Sequence, residues 1–178
     1  MIVMEYPRPL FYASTGSRKV KEAGRVIAKK YRWFPETQDA ATSRPRVATS
    51  NVYLTIEDAR GQYTIRQTKE SFRNGQHWAI EKNGECIGEV FMPRTVIPSH
   101  HRLEVRLTNQ DVEKNVDIRF HNRSKADIYF NGGWLGETFT SGMFFNRKIV
   151  INMLDDRMID RILLTVLVHT YWCASNVG

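Results

Sequence analysis

The sequence predicts an all-β domain of consecutive hairpins that ends in one long, buried C-terminal helix. An internal repeat carries the first half of that expectation. Residues 80–91 read IEKNGECIGEVF and residues 128–139 read IYFNGGWLGETF, so both fit I-x-x-N-G-x-x-[I/L]-G-E-x-F. Asn-Gly between apolar strands is a strong hairpin signal, because a type I′ turn needs positive φ at both central residues. Asn83-Gly84 and Asn131-Gly132 are therefore expected hairpin tips. The second glycines, Gly88 and Gly136, fall inside strands, where they mark a bulge or a close approach by another backbone. Two similar hairpins 48 residues apart imply a fold built by repeating one β-unit.

The C-terminal segment carries the second half. In Asp155–Cys173 (DDRMIDRILLTVLVHTYWC), Asp155 and Asp156 stand where a helix takes its N-cap and acidic first turn. Met158, Ile159, Ile162, Leu163, Leu164, Val166, Leu167, Val168, Tyr171 and Trp172 then cover nearly every direction of a helical wheel. A helix that is apolar all round is buried on all sides or lies in a membrane. Among strands, the economical solution is a closed or nearly closed barrel threaded by residues 155–174, which removes sheet edges as well.

The other elements fit this plan. VYLTI (52–56) and YTIRQ (63–67) flank the turn-rich EDARGQ and read as a hairpin. LEVRLT (103–108) and VDIRFH (116–121) alternate apolar and polar, as half-buried strands do, and KIVINML (148–154) is another strand. Gly24–Phe34 (GRVIAKKYRWF) fits neither a helical nor a strand period cleanly. Residues 36–50 are poor in large apolar side chains and read as a loop.

Length and composition bound the function. With 178 residues, 42% hydrophobic and 25% charged, the chain has the size and make-up of one globular domain. Its charge of +7 is concentrated near the N-terminus. Residues 1–50 hold ten basic side chains (Arg8, Arg18, Lys19, Lys21, Arg25, Lys29, Lys30, Arg32, Arg44, Arg46) against four acidic ones (Glu5, Glu22, Glu36, Asp39). Such a cluster suits an anionic partner, and it also suits a merely solvated strand or loop. Cys86 and Cys173 are far apart and form no CxxC motif, so both are expected to be reduced, buried thiols of a cytosolic protein. The N-terminus shows no secretory pattern. The apolar run Ile162–Ala174 falls short of the roughly 20 residues that span a bilayer.

No catalytic, cofactor or metal pattern emerges. The adjacent His100 and His101 would point to opposite faces of a strand, His77 and His121 are scattered, and His169 falls in the apolar helix. No nucleophile elbow, P-loop or dinucleotide fingerprint is present. Glu89 and Glu137, equivalent in the two repeats, either face one another as a carboxylate pair or serve as ordinary strand carboxylates paired with Arg or Lys. The chain is therefore expected to bind rather than to catalyse. Basic residues interleaved with Tyr31, Trp33 and Phe34 leave single-stranded nucleic acid open as a partner, although no RNA- or DNA-binding signature accompanies them.

Short hairpins with turn-glycine repeats, then KIVINML, then acidic residues leading into DDRMIDRILLTVLVHTYW, resemble the tubby-like C-terminal superfamily. It comprises tubby domains, phospholipid scramblases, LURP-one-related proteins of plants and small bacterial relatives. The resemblance covers residues 52–174 well and 10–34 loosely. It implies one domain over residues 1–178, a barrel of about twelve strands around a central hydrophobic helix, and binding to anionic phospholipid headgroups at the membrane periphery. Carrying individual lipid contacts over is not justified, so the candidates rest on charge: Arg18, Lys19, Lys21, Arg25, Lys29, Lys30 and Arg32. If 24–34 is a strand, Arg25, Lys29 and Tyr31 share one face, while Lys30 and Arg32 take the other. A bulge at Lys29-Lys30 or an exposed edge is then expected to keep one set out of the core, with those lysines projecting into solvent beside the loop at 36–50. A protein-interaction module of the same fold and a lipocalin-like ligand barrel are the other readings; the all-round apolar helix favours a filled barrel over a ligand cavity.

Overall fold

A computed structural model describes residues 1–8, 16–33, 53–71, 75–95, 97–109, 112–143 and 146–175. The loop expected over residues 36–50 lies outside them. The described chain forms twelve strands: β1 (Ile2–Pro7), β2 (Arg18–Glu22), β3 (Arg25–Trp33), β4 (Tyr53–Asp58), β5 (Gly61–Ser71), β6 (Gly75–Lys82), β7 (Glu85–Met92), β8 (Arg102–Asn109), β9 (Val112–Asn122), β10 (Lys125–Phe130), β11 (Gly133–Ser141) and β12 (Lys148–Met153). One α-helix, α1 (Arg161–Ala174), follows, and a short 3-10 turn (Pro98–His100) precedes β8. Each strand pairs antiparallel with its sequence neighbours, and β1 pairs with β12 to close the barrel. The ambiguous segment 24–34 thus holds a strand over Arg25–Trp33, and the expected closed barrel with its terminal helix is present.

The repeated hairpins form as the sequence requires. Asn83 (φ 51°) with Gly84 (φ 89°) and Asn131 (φ 48°) with Gly132 (φ 82°) make equivalent tight turns. Each Asn also bridges to the preceding hairpin. The Oδ1 of Asn83 accepts from Gln62 N at 2.9 Å while its own N–H donates to Gln62 O at 3.0 Å. Asn131 does the same with Asn115, at 2.8 Å for both bonds. One extra residue, Ile87 in β7 and Leu135 in β11, bulges just before Gly88 and Gly136. A Cβ on Gly88 would strike the carbonyl oxygen of Arg106, and one on Gly136 that of Asn152, so both glycines mark a close approach of the neighbouring strand.

A third copy of this unit spans residues 20–31, VKEAGRVIAKKY. Ala23 (φ 46°) and Gly24 (φ 79°) form its tip, and Ile27 is its bulged residue. Ala28 stands where the other copies have glycine, and the β3–β4 ladder starts only at Lys29. The three hairpins, β2–β3, β6–β7 and β10–β11, recur every fourth strand around the ring.

Alternation along the strands sends one set of side chains inward. Met4 and Tyr6, Leu54 and Ile56, Val90, Val105, Ile118, Ile128, Ile149 and Ile151 are buried with α1 in one core. Every α1 residue from Ile162 to Cys173 is buried. The helix touches opposite parts of the wall: it packs against β4 and β5 on one side, and on the other Trp172 Nε1 donates to Thr138 Oγ1 at 3.1 Å on β11. It therefore runs inside the barrel.

Its entry differs from the expected N-cap. Asp160 caps α1 by accepting from Ile162 N at 2.7 Å, and Arg161 binds Glu22 at 2.7 Å. Asp155 is engaged by Arg157, through both its backbone N–H and its guanidinium, in the turn that carries the chain from wall to axis. Met158 is consequently exposed ahead of the helix. Cys86, expected to be buried, is exposed near a hairpin tip, whereas Cys173 is buried in α1.

Leu164→Ala and Leu167→Ala should each cost about 2–5 kcal/mol, because both side chains are fully enclosed. Gly136→Ala should cost about 1–3 kcal/mol through its clash with the Asn152 carbonyl. Urea unfolding followed by circular dichroism reads all three, and an unchanged midpoint for either leucine variant contradicts an enclosed helix.

Candidate functional site

The wall formed by β1, β2 and β3 carries cations on both sides. The bulge at Ile27 resets the alternation of β3, so that Ala28, Lys30 and Arg32 point inward and Lys29, Tyr31 and Trp33 outward. The expected bulge at Lys29-Lys30 does not occur. Lys30 and Arg32 do not project into solvent; they are 5% and 4% exposed inside the barrel. Arg18, directly opposite Lys30 on β2, is half-buried. Lys19, Lys21, Arg25 and Lys29 are exposed.

On the inside, Lys30 meets the helix. Its Nζ lies 3.1 Å from Nε2 and 3.3 Å from Nδ1 of His169, and 4.5 Å from the centre of the Tyr6 ring. Tyr6 stands edge-on to His169 at 5.5 Å. Cys173, one helical turn beyond His169, places its sulfur 3.5 Å from Nε2. Burial pulls the Lys30 ammonium down from 10.5 to about 7; the Cys173 thiol opposes that shift and Arg18 adds to it. Burial, and then the charges of Lys30, Arg32 and Arg8, hold His169 well below its ordinary value, so the imidazole is neutral and can accept from Lys30. Burial pushes the Cys173 thiol up.

Further polar atoms gather toward the same end of the helix. Among the described residues, Tyr6 Oη, Tyr171 Oη, Trp78 Nε1 and Ser175 Oγ are buried without a hydrogen-bond partner. An unmatched buried donor costs about 1–3 kcal/mol, so such a set marks a place where the core is not self-sufficient. Sequence reasoning missed this interior cluster. Its signal was the parity of β3, in which Lys30 and Arg32 share the alternation of the apolar Ala28.

On the outside, Lys19 faces Lys29 across β2–β3. Lys29 also lies opposite Glu57, and Lys21 lies opposite Glu5, which is bound by Lys148 at 3.1 Å. Trp33 packs on Tyr53 at 4.7 Å and donates Nε1 to Thr55 at 3.0 Å, so these outward aromatics occupy one another. Glu89 and Glu137 also point outward and pair with Arg106 at 3.6 Å and Lys125 at 2.7 Å. They are ordinary strand carboxylates, as the second reading held. His121 binds Asp127 at 2.8 Å on the surface. Among the described residues no group of three His, Cys, Asp or Glu side chains could hold a metal ion, and no helix is long and apolar enough to cross a membrane. The outer face carries ion pairs, including Arg66–Glu81 at 2.9 Å and Arg119–Asp117 at 2.9 Å, where a membrane-spanning barrel carries an apolar belt.

Fold and site together define a helix-filled antiparallel barrel with one cation-rich wall. No family model matches the chain, and no curated protein or solved structure matches it.

The buried ammonium gives a pH signature. Unfolding returns Lys30 from about 7 to its ordinary 10.5. Between those values the unfolded chain holds a proton that the folded one has released, so stability rises with pH there. Lys30→Met should remove that rise and be most stabilising, relative to wild type, at and below pH about 7. Urea unfolding from about pH 7 to about pH 8.5 checks this; that window stays below the ordinary titration of Cys173. Equal slopes for the two proteins would contradict the buried, charged environment.

Proposed function

We propose that this chain is a non-enzymatic binding domain that docks reversibly on an anionic phospholipid surface through the outer cations of β2 and β3. The observation that carries the reading is the juxtaposition of exposed Lys19 and Lys29 on adjacent strands, with exposed Lys21 and Arg25 toward the hairpin tip. Each basic side chain near an anionic leaflet contributes about 1 kcal/mol, so four give reversible docking without insertion. Neutralisation of the nearby Glu5 by Lys148 keeps the face net positive on the β1 side. The resemblance to tubby-like domains, with a strand meander ending in an enclosed helix, supports the same partner class.

Co-sedimentation with vesicles of neutral lipid, with and without phosphatidylserine, tests the reading. Binding should require the anionic lipid and weaken as salt rises toward physiological strength, because screening shortens the reach of the charges. The pair Lys19→Glu and Lys29→Glu should abolish it with no change in the unfolding midpoint, since both side chains are exposed. Undiminished binding by that double variant, or no binding by the wild type, would move the outer cations to an acidic protein partner.

A further inference from the structure

The exposed apolar side chains of the barrel are not spread evenly. Of the nine large ones among the described residues, Met1, Val3, Val26, Trp134, Leu154 and Met158 lie at the end where α1 enters. β1, β3 and β11 begin at that end, and β2, β10 and β12 finish there. These strands are consecutive in the ring, from β10 through β12 and β1 to β3, so the apolar side chains line one arc of the rim. The register sets them side by side. Trp134 lies opposite half-buried Tyr129 on β10, and Leu154 N donates to the carbonyl of Leu135, the residue after Trp134, at 3.0 Å. Val3 follows on β1 opposite Asn152, and Val26 lies opposite Lys21 near the β2–β3 tip.

Clustered exposed apolar groups mark interaction surfaces. At the opposite end Trp33 is occupied by Tyr53 and Thr55, whereas Trp134, 48% exposed, has no ring or hydrogen-bond partner among the described residues. The charges of the arc point to the kind of partner. Its carboxylates are held by the chain's own cations: Glu5 by Lys148 at 3.1 Å, Glu22 by Arg161 at 2.7 Å and Asp155 by Arg157 at 2.6 Å. Lys21 and Arg25, exposed beside Val26, make no ion pair among the described residues, and Asp156 is the exposed carboxylate that offsets them. An apolar rim with surplus cations is complementary to an anionic bilayer, which offers acyl chains to the first and headgroups to the second. A second copy of this chain would instead bring the same cations to the contact. An indole suits the bilayer boundary because its ring is apolar and its N–H is polar.

We propose that this arc inserts into an anionic bilayer: Trp134, Leu154, Val3 and Val26 enter the boundary between headgroups and acyl chains, while Lys21 and Arg25 hold the headgroups. The barrel then docks on the end where its helix enters, tilted onto the β2–β3 wall so that Lys19 and Lys29 approach the same surface. This orientation rests on the lipid docking proposed above and adds an apolar contribution to it.

Tryptophan emission reads the orientation. The protein is mixed with vesicles of phosphatidylcholine and phosphatidylserine, the phosphatidylcholine either brominated on its acyl chains or not, and co-sedimentation measures the bound fraction. Bromine in the acyl region quenches an indole that reaches it. Bound wild type and bound Trp33→Phe should be quenched, and bound Trp134→Phe should not. Trp134→Ser combined with Leu154→Ser should weaken co-sedimentation about tenfold, because two apolar side chains no longer leave water. The urea midpoint of that double variant should stay where it is, since both side chains are exposed. Binding without quenching overturns insertion and leaves electrostatic docking standing, as does quenching that Trp33→Phe loses and Trp134→Phe keeps, or undiminished binding by the double variant. No binding at all overturns both. Emission that shifts with protein concentration in the absence of lipid, and does so only while Trp134 is present, assigns the arc to a second copy and overturns the proposal.

Discussion

Eight strands close into a barrel just wide enough for side chains to fill, and twelve leave a wider bore. In this protein that bore is occupied by a helix whose diameter with side chains is about 10–12 Å. The two elements need each other. A helix buried on every side from Ile162 to Cys173 has no other place to go, and the ring has nothing else to pack against. Closure of β1 on β12 completes the enclosure and leaves no open sheet edge at that seam.

Such a core must satisfy every polar group that it admits. Thr165 and Thr170 do so by donating to carbonyls one turn back, at 2.8 and 2.9 Å. Trp172 binds Thr138, which in turn donates to the Val150 carbonyl at 2.9 Å. Around His169 and Cys173 this economy stops. A buried ammonium rests on a neutral imidazole, and hydroxyl groups nearby lack acceptors among the described residues. A well-packed apolar substitute would be more stable than an ammonium in that position. Violations of this kind in an otherwise consistent core are expected at functional sites, which is why the interior of β1–β3 is the most informative surface of the molecule.

The parts of this fold legible in the sequence were those with a local physical signature. Asn83-Gly84 and Asn131-Gly132 announced their turns because few other pairs tolerate two positive φ angles. The third copy escaped because Ala23 and Ala28 replace the Asn and Gly that mark the other two, and its tip makes do without the side-chain bridge. β1 offered only six residues. The helix start was misplaced because Asp155 and Asp156 suit an N-cap in isolation, whereas Arg157 binds the first and leaves Asp160 to do the capping. The basic cluster was visible, and strand parity already set Lys30 and Arg32 apart from Arg25 and Lys29, but not which set faces the core, because charge alone argues for keeping both in solvent.

The enclosure of α1 has a direct readout in the two free thiols, one exposed on β7 and one buried in the helix. Labelling with a thiol reagent across a urea series should modify Cys86 at once and Cys173 only as the sheet unfolds, with the same midpoint for Cys173 labelling and for loss of the β-sheet circular dichroism signal. Rapid labelling of Cys173 in the absence of urea, with the sheet signal intact, would show that the helix leaves the barrel without opening it and would contradict the account.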